Sequence, residues 1–520
     1  MKEQKEILSA TKILSFFVAL SRVFGYIRDY IIAILFGANL YTDAFFVAYQ
    51  VPNLFRRLFG EGTLSSVTVP LYTDKKKKEG LRSLNRLAQV IFTNLLVTTA
   101  IIALLGIIFA KPITLVQAPG FLKNPAKFAI TVKLLRVVFP FLIFITLSAW
   151  AMGYLNSNKK FAIPALSTSI FNITVIIMVF VFYKYLGVHS IYALAYSVLI
   201  GVFLQFLIHI PALFKSGYRF ALGGLFSKEL WPVLKLMIPA MFGLAVFQLN
   251  IFFDRIIASF LPTGSISYLY YANRLMQLPL GIFGVSIAIA ALPTFSALSI
   301  AKQTGKIKES IGKSFEFIMA IMLPVFVIYF LFGFPIVNLL FGHGQFRTMN
   351  AVSPTYFALV FYSIGLPAFA QVKIVNSYFF AKKDIRIPTL VGIGSMFVNI
   401  GLNLIFMHYY SYAGLALSTS IASYVNLFLL LFFVEKEIGK IINTELILTF
   451  TKILAASIIA GLPSFAFFVY SGFGHLTGNL INLTLSLFFA LALYLFTLHI
   501  FRVNHIEHFL FSRLFKKRIT

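Results

Sequence analysis

The sequence predicts an all-α polytopic membrane protein, and three observations predict it. Mean hydropathy is +0.90 over the chain, and 59% of the 520 residues are hydrophobic against 12% charged. Apolar runs of bilayer length succeed one another from end to end, separated by turn-forming stretches such as PTGS, YKYLG and HYYSYAG. Lysine and arginine crowd into alternate connecting segments. This composition excludes a soluble globular protein. The absence of cysteine excludes disulfides and thiolate metal sites. A formal charge of +28 suggests nucleic acid at first sight. Its distribution along the chain is that of membrane topology, so no nucleic-acid partner is expected.

Hydropathy and breaks place about fourteen helices at 12–37, 41–72, 83–110, 128–157, 161–184, 189–214, 229–260, 266–299, 310–334, 351–381, 386–409, 413–435, 444–471 and 477–501. No removable leader is expected at the N-terminus, because nothing there separates from the first span as a cleavage pattern. Counting alternate connections, one side holds Lys75 to Lys78, Arg82, Arg86, Lys159, Lys160, Lys302, Lys306, Lys382, Lys383, Lys436 and Lys440, with Arg513 and Lys516 to Arg518 at the end. The other side holds only Lys111, Lys123, Lys127, Lys184 and Arg347. That bias predicts both termini in the cytoplasm. Lys75 to Lys78 also attract anionic lipid.

The first two spans stand out. The stretch 21–62 carries Arg22, Arg28, Asp29, Asp43, Arg56, Arg57 and Glu61 inside otherwise apolar segments. At about 1.5 Å per residue, Arg28 and Arg56 lie about 14 and 22 Å below the outer ends of their spans. That is too deep for easy snorkelling, and an ionisable group at such depth normally faces a protein interior or a wet cavity. On one helical stripe, Ser21, Gly25 and Arg28 alternate with Arg22 and Asp29. The stripe is cationic with small residues between the charges.

An internal duplication extends the pattern. NKKFAIP at 158–164 returns as KKDIRIP at 382–388, FNI at 171–173 as VNI at 398–400, and YIRDYIIA at 26–33 as IFFDRIIA at 251–258, pairing Asp29 with Asp254. The offset covers six spans, so the copies share one orientation. The expected organisation is a lobe at 1–216 (helices one to six), an interfacial cytoplasmic linker at 217–228, a second lobe at 229–436 (helices seven to twelve), and two further helices with a basic tail at 437–520. Arg22, Arg28, Arg56, Arg255 and Arg274 are expected to line one central cavity, each half's charge partly offset by Asp29 or Asp254. A buried surplus of guanidinium calls for an anion, and the planar fork of arginine suits phosphate. The competing reading is an internal Arg/Asp network that only holds the helices together.

Proline and glycine, including Pro52, Pro279, Gly60, Gly62, Gly281 and Gly284, mark the second and eighth helices as bending elements. Asn399 and Asn403, at i and i+4, together with Thr419 offer oxygen ligands for a monovalent cation such as Na+; interhelical hydrogen bonding is the alternative. No other cofactor is expected. The eight histidines show no metal spacing and there is no phosphate-binding GxxxxGK[ST] loop.

The segments SRVFGYIRD, FGANLYTDAFFVAYQVPNLFRRLFGEGTLSSVTVPLY and YYANRLMQLPLGIFGVSIAIAALP resemble the signature regions of the lipid II flippase family, MurJ (MviN), of the multidrug/oligosaccharidyl-lipid/polysaccharide superfamily. The likeness runs the length of the chain. It implies a flippase of the bacterial inner membrane, not an enzyme. The implied cargo is the undecaprenyl-pyrophosphate-linked muropeptide, moved from the cytoplasmic to the outer leaflet by alternating access for peptidoglycan synthesis. It also implies cavity roles for Ser21, Arg22, Arg28, Asp29, Asp43, Arg56 and Arg274, and a groove for the polyprenyl tail on the last two helices. A monomer surrounded by membrane lipids, working beside the cell-wall synthesis machinery, is expected. Asn273 and Gln277 stand where relatives often carry acids, leaving Arg274 less neutralised, and Asn403 weakens the cation site. A flippase for another polyprenyl-linked glycan, of O-antigen type, is the nearest alternative. A cation-coupled drug antiporter would favour an acidic cavity. A membrane-embedded glycosyltransferase would need a carboxylate at an interface, which the outer segments 111–127 and 335–350 lack.

Overall fold

A computed structural model of the chain describes residues 2–56, 63–186, 190–471 and 476–503. Every regular element among them is helical. This is what a chain of this hydropathy must do, because in hydrocarbon each backbone amide has to be satisfied within its own segment. The chain divides into two compact units, Met1–Gly264 with Gly344–Met349, and Ser265–His343 with Asn350–Thr520.

In the first unit, α1 (Lys2–Phe36) is followed at Gly37, φ +68, by α2 (Leu40–Phe55). Asn39 starts α2 with a complete capping box, its Oδ1 accepting from Tyr41 and Thr42 N–H while Thr42 Oγ1 accepts from Asn39 N–H. Of the expected helix 41–72 the described part is α2 and the start of α3 (Thr63–Ile108), which breaks at Gly80, φ 82 and ψ −177. Arg57, Gly60, Glu61 and Gly62 lie outside the described residues. Next come α4 (Ala110–Gln117), α5 (Pro125–Val138), α6 (Phe141–Ser157), α7 (Ala162–Tyr185), α8 (Ile191–Leu207), α9 (His209–Lys215) and α10 (Trp231–Ala258). The expected helix 128–157 is the span Pro125–Ser157, with a turn at Phe139–Pro140 between α5 and α6, because proline cannot donate to the preceding turn.

Helices in lipid gain little from burying apolar surface against each other, so close approach through small residues counts for more. At the α7/α8 contact a Cβ on Gly201 would lie 2.9 Å from Val175 Cγ2 and 3.2 Å from the Phe171 carbonyl. At one end of the unit an aromatic core gathers Tyr72, Trp150, Tyr154 and Tyr218, all at most 1% exposed, around Leu84 and Leu87. Trp150 Nε1 donates to Ala88 O at 3.1 Å and the Tyr154 hydroxyl to Asn85 Oδ1 at 2.7 Å. The segment 217–227 is laid along α3. There a Cβ on Gly223 would meet Val90 N at 2.4 Å, so this position admits no side chain. Gly223→Ala is expected to detach the segment and accelerate its proteolysis at least several-fold, read by limited digestion of the purified protein.

The second unit contains α11 (Ser265–Pro279), a π turn at Leu280–Gly284, α12 (Val285–Ile300) and α13 (Thr304–Phe341). The π turn directly follows Pro279 and interrupts the expected helix 266–299. After α14 (Gly344–Thr348), which belongs to the first unit, come α15 (Val352–Ile364), α16 (Leu366–Ala381), α17 (Arg386–Ile438), α18 (Thr444–Tyr470) and α19 (Leu476–Ile500). Buried hydroxyls find backbone carbonyls across helices, Tyr329 at Leu275 O, Tyr424 at Ile364 O and Tyr494 at Ala320 O, each within 2.9 Å.

Among the described residues nine helices are long and apolar enough to cross a membrane, or ten if α15 and α16, bent by 44°, form one span. Two of the nine are at least twice the length that a single crossing needs. Val67–Ile108 has 42 residues and α17 has 53, whereas about 20 suffice for one crossing. The left-handed Ser411, φ 51, divides α17 at the expected boundary between 386–409 and 413–435. The count of fourteen spans is an expectation that length and hydropathy of these helices do not by themselves reproduce.

Candidate functional site

The first unit assembles its polar site on α1. A helix through 21–29 puts Ser21, Gly25 and Arg28 on one face, and all three meet Asn172 of α7. Asn172 Nδ2 donates to the Ser21 carbonyl at 3.2 Å and approaches its Oγ at 3.5 Å. A Cβ on Gly25 would be 3.6 Å from the same nitrogen. Arg28 Nη1 donates to Asn172 Oδ1 at 3.0 Å. Arg28 Nε and Nη2 both donate to Asp29 Oδ1, at 3.0 and 2.7 Å. The two side chains are 14% and 5% exposed, and the guanidinium carbon lies 5.9 Å from the centre of the Phe171 ring. Arg28 is thus held inside the protein by neighbours on α1 and α7 instead of reaching out to a headgroup. Arg22, one residue from Ser21, is exposed.

Asn172 carries no charge that marks it as a site residue in the sequence. Its signal there is its place in the repeated FNI of 171–173. It orients the guanidinium by accepting at one nitrogen while donating back to α1. Asn172→Leu is expected to cost about 1.5–3 kcal/mol of stability through one lost hydrogen bond to a charged group, read as thermal unfolding of the purified protein in detergent.

Asp43 behaves differently. It is 0% exposed at the first turn of α2. Its Oδ2 accepts from Lys127 Nζ at 2.8 Å and from the backbone N–H of Gly264 at 2.7 Å. Lys127, 4% exposed, also lies 4.2 Å from the centre of the Phe121 ring. By sequence Lys127 counts among the cations of an outer loop; the structure corrects this. Asn124 caps α5 by accepting from Lys127 N–H, so the helix starts at Pro125 and its first turn is packed on α2. Asp43 and Lys127 form a buried pair that ties α2, α5 and the turn ending at Gly264.

Arg56 follows the last turn of α2, half-buried, with Nε donating to Asn53 Oδ1 at 2.7 Å. Asp254 and Arg255 are partly buried near the end of α10 in the first unit. Arg274 belongs to α11 in the second unit. Its Nη2 donates to the Tyr270 hydroxyl at 3.1 Å, and its guanidinium lies 5.2 Å from the centre of that ring. Tyr270, one turn earlier on the helix, opens the signature segment YYANR of 270–274 but is not singled out there as a site residue. Asn273 is half-buried and Gln277 exposed. On α17, Asn399 and Asn403 are 1% and 0% exposed. Thr419 Oγ1 donates to Leu415 O at 2.8 Å in its own helix, which is the ordinary fate of a threonine in a membrane helix. Among the described residues no three His, Cys, Asp or Glu side chains gather to hold a metal.

A family model described as "Lipid II flippase MurJ" matches residues 32–504. The chain belongs to the lipid II flippase MurJ family. A probable lipid II flippase MurJ of Buchnera aphidicola subsp. Schizaphis graminum is 39% identical over 415 residues, covering 79% of this chain and 80% of that protein. Its counterpart in Buchnera aphidicola subsp. Acyrthosiphon pisum is 33% identical over 95% of this chain and 97% of its own length. A solved structure described as lipid II flippase MurJ in an inward closed conformation superposes with a TM-score of 0.79 at 29% identity, covering 94% of this chain and 98% of that one. The resemblance in the signature segments is therefore family membership, and this MurJ-family chain is a multi-pass membrane protein.

Proposed function

We propose that this chain is a lipid II flippase, moving the peptidoglycan precursor from the cytoplasmic to the outer leaflet without changing its covalent structure. Membership of the MurJ family supplies the cargo. The observation that carries the mechanism is Arg28, held inside the first unit by Asp29 on α1 and Asn172 on α7. A guanidinium fixed in low dielectric is a strong, oriented ligand for a pyrophosphate oxygen. A diphosphate arriving there competes with Asp29 for Nε and Nη2, so binding and release turn on an exchange of anions at one cation. Arg22, Arg56, Arg255 and Arg274 contribute further positive charge, and the polyprenyl tail stays in lipid along α18 and α19.

Alternating access presents the headgroup first to one side and then to the other. An inside-negative potential assists, at about 2.3 kcal/mol per charge per 100 mV, by favouring outward movement of the anion and inward return of the empty cationic site. In this reading both termini are cytoplasmic, the protein acts as a monomer in the bacterial inner membrane beside the cell-wall synthesis machinery, and the duplication boundary lies at 217–228. Asn399 and Asn403, with Thr419, are the place where a sodium ion would bind.

Complementation of a strain depleted of its own flippase tests the reading. Growth is expected to return together with outward exposure of the lipid II headgroup. Growth without exposure, or exposure only of an O-antigen-type lipid, would overturn it.

A further inference from the structure

We propose that residues 217–228 form a strap that dips into the lipid at the edge of the bilayer and binds anionic phospholipid there. Up to Ser227 the strap has no helix of its own, yet its backbone is bonded to α3 at five groups. Asn85 Nδ2 donates to Gly217 O at 2.7 Å, Gln89 Nε2 to Arg219 O at 2.7 Å and Asn94 Nδ2 to Gly224 O at 3.0 Å. In return Thr93 Oγ1 accepts from Gly223 N–H at 2.8 Å and Asn94 Oδ1 from Phe226 N–H at 2.9 Å. Four polar side chains on one helix face are thus committed to an irregular backbone. In water such groups need no partner, whereas at lipid depth irregular backbone persists only where protein supplies the bonds.

The order of these bonds gives the direction of the dip. Going from Gly217 to Phe226, the partners on α3 advance from Asn85 to Asn94, about 13 Å along the helix axis. α3 is charged at Lys75 to Lys78, Arg82 and Arg86, at the start of this stretch, and carries no charge from Leu87 to Ile108. The strap therefore descends from the charged level toward the apolar one. It then returns, since Glu229 Oε1 lies 3.1 Å from Arg86 Nε.

The side chains agree with that path. At the low end Leu222 and Phe226 are 78% and 79% exposed, and Leu225 is also exposed. Phe226 holds a left-handed backbone, φ +50, which an aromatic residue rarely adopts, and the Asn94 bond keeps it there with its ring turned outward. At the high end Arg82, Arg86, Arg219 and Lys228 are exposed, and Trp231 stands at the start of α10, 68% exposed. An apolar tip below a basic rim, with an aromatic ring at the boundary, is complementary to the acyl chain and phosphate of an anionic phospholipid.

The chain has no cysteine, so single reporters can be placed directly. Leu222→Cys and Leu225→Cys, each spin-labelled in vesicles of phosphatidylglycerol and phosphatidylcholine, are expected to collide more with oxygen than with a water-soluble nickel chelate. Arg82→Cys is expected to show the reverse order. A chelate accessibility at both tip positions equal to that at residue 82 would overturn the dip. With bimane attached to the Leu222→Cys variant, brominated phosphatidylglycerol is expected to quench at least 2-fold more than brominated phosphatidylcholine, and Arg219→Gln with Lys228→Gln to abolish that preference while leaving the depth unchanged. Equal quenching by the two lipids in the otherwise native strap would overturn the anionic preference.

Discussion

Arg28→Ala is expected to lower outward transfer of the lipid II headgroup by about 100-fold or more, measured as headgroup accessibility in vesicles holding equal amounts of folded protein. Hydrogen bonds to charged groups contribute about 1.5–3 kcal/mol each, and two such bonds to a diphosphate amount to two decades or more. Arg28→Ala also leaves Asp29, 5% exposed, without its guanidinium, so lost activity alone is ambiguous. Arg28→Lys separates the two causes. It keeps the positive charge beside Asp29 but cannot reproduce the geometry that reaches Asp29 and Asn172 together. Arg28→Lys is expected to fold and insert normally and still to flip at least about 10-fold more slowly, on the scale of one lost hydrogen bond to a charged group. Undiminished transfer by the lysine variant would mean that Arg28 holds α1 against α7 and does not handle cargo.

Lys127→Met is expected to destabilise the first unit by about 3–5 kcal/mol, the usual consequence of stranding one member of a buried ion pair. The measurement is thermal unfolding of purified protein in detergent. Asp43 is fully buried and would lose its lysine while keeping the Gly264 N–H. Adding Asp43→Asn should recover more than half of the loss, because the amide oxygen still accepts from Gly264 while the stranded charge is gone. An unchanged unfolding temperature for Lys127→Met would show that the pair contributes no net stability. The family resemblance implied that Asp43 serves the cavity; its described contacts include Lys127 and the Gly264 N–H.

Several elements were legible from residue order alone because their cause is local. Bilayer-length apolar runs must be helices whatever packs beside them, since hydrocarbon offers the backbone no other partner. Charge at 22, 28, 29 and 56 had to be accounted for, because ionisable groups at that depth are costly. Other features depended on what lies opposite. The pairing of Lys127 with Asp43 spans 84 residues and that of Arg28 with Asn172 spans 144. No periodicity along one helix reports its neighbour. The breaks at Phe139–Pro140 and in the π turn after Pro279 show a middle case, since proline announces a disturbance but packing chooses its form.

By itself, the sequence determined that this chain lives in a membrane, is helical and carries charge inside apolar segments, because each follows from one segment and its solvent. Only the tertiary structure decided that Arg28 lies between Asp29 and Asn172 and that Lys127 is buried against Asp43. It also decided which irregular stretch is stitched to a helix. Those distinctions depend on distances of a few ångströms between residues far apart in the chain.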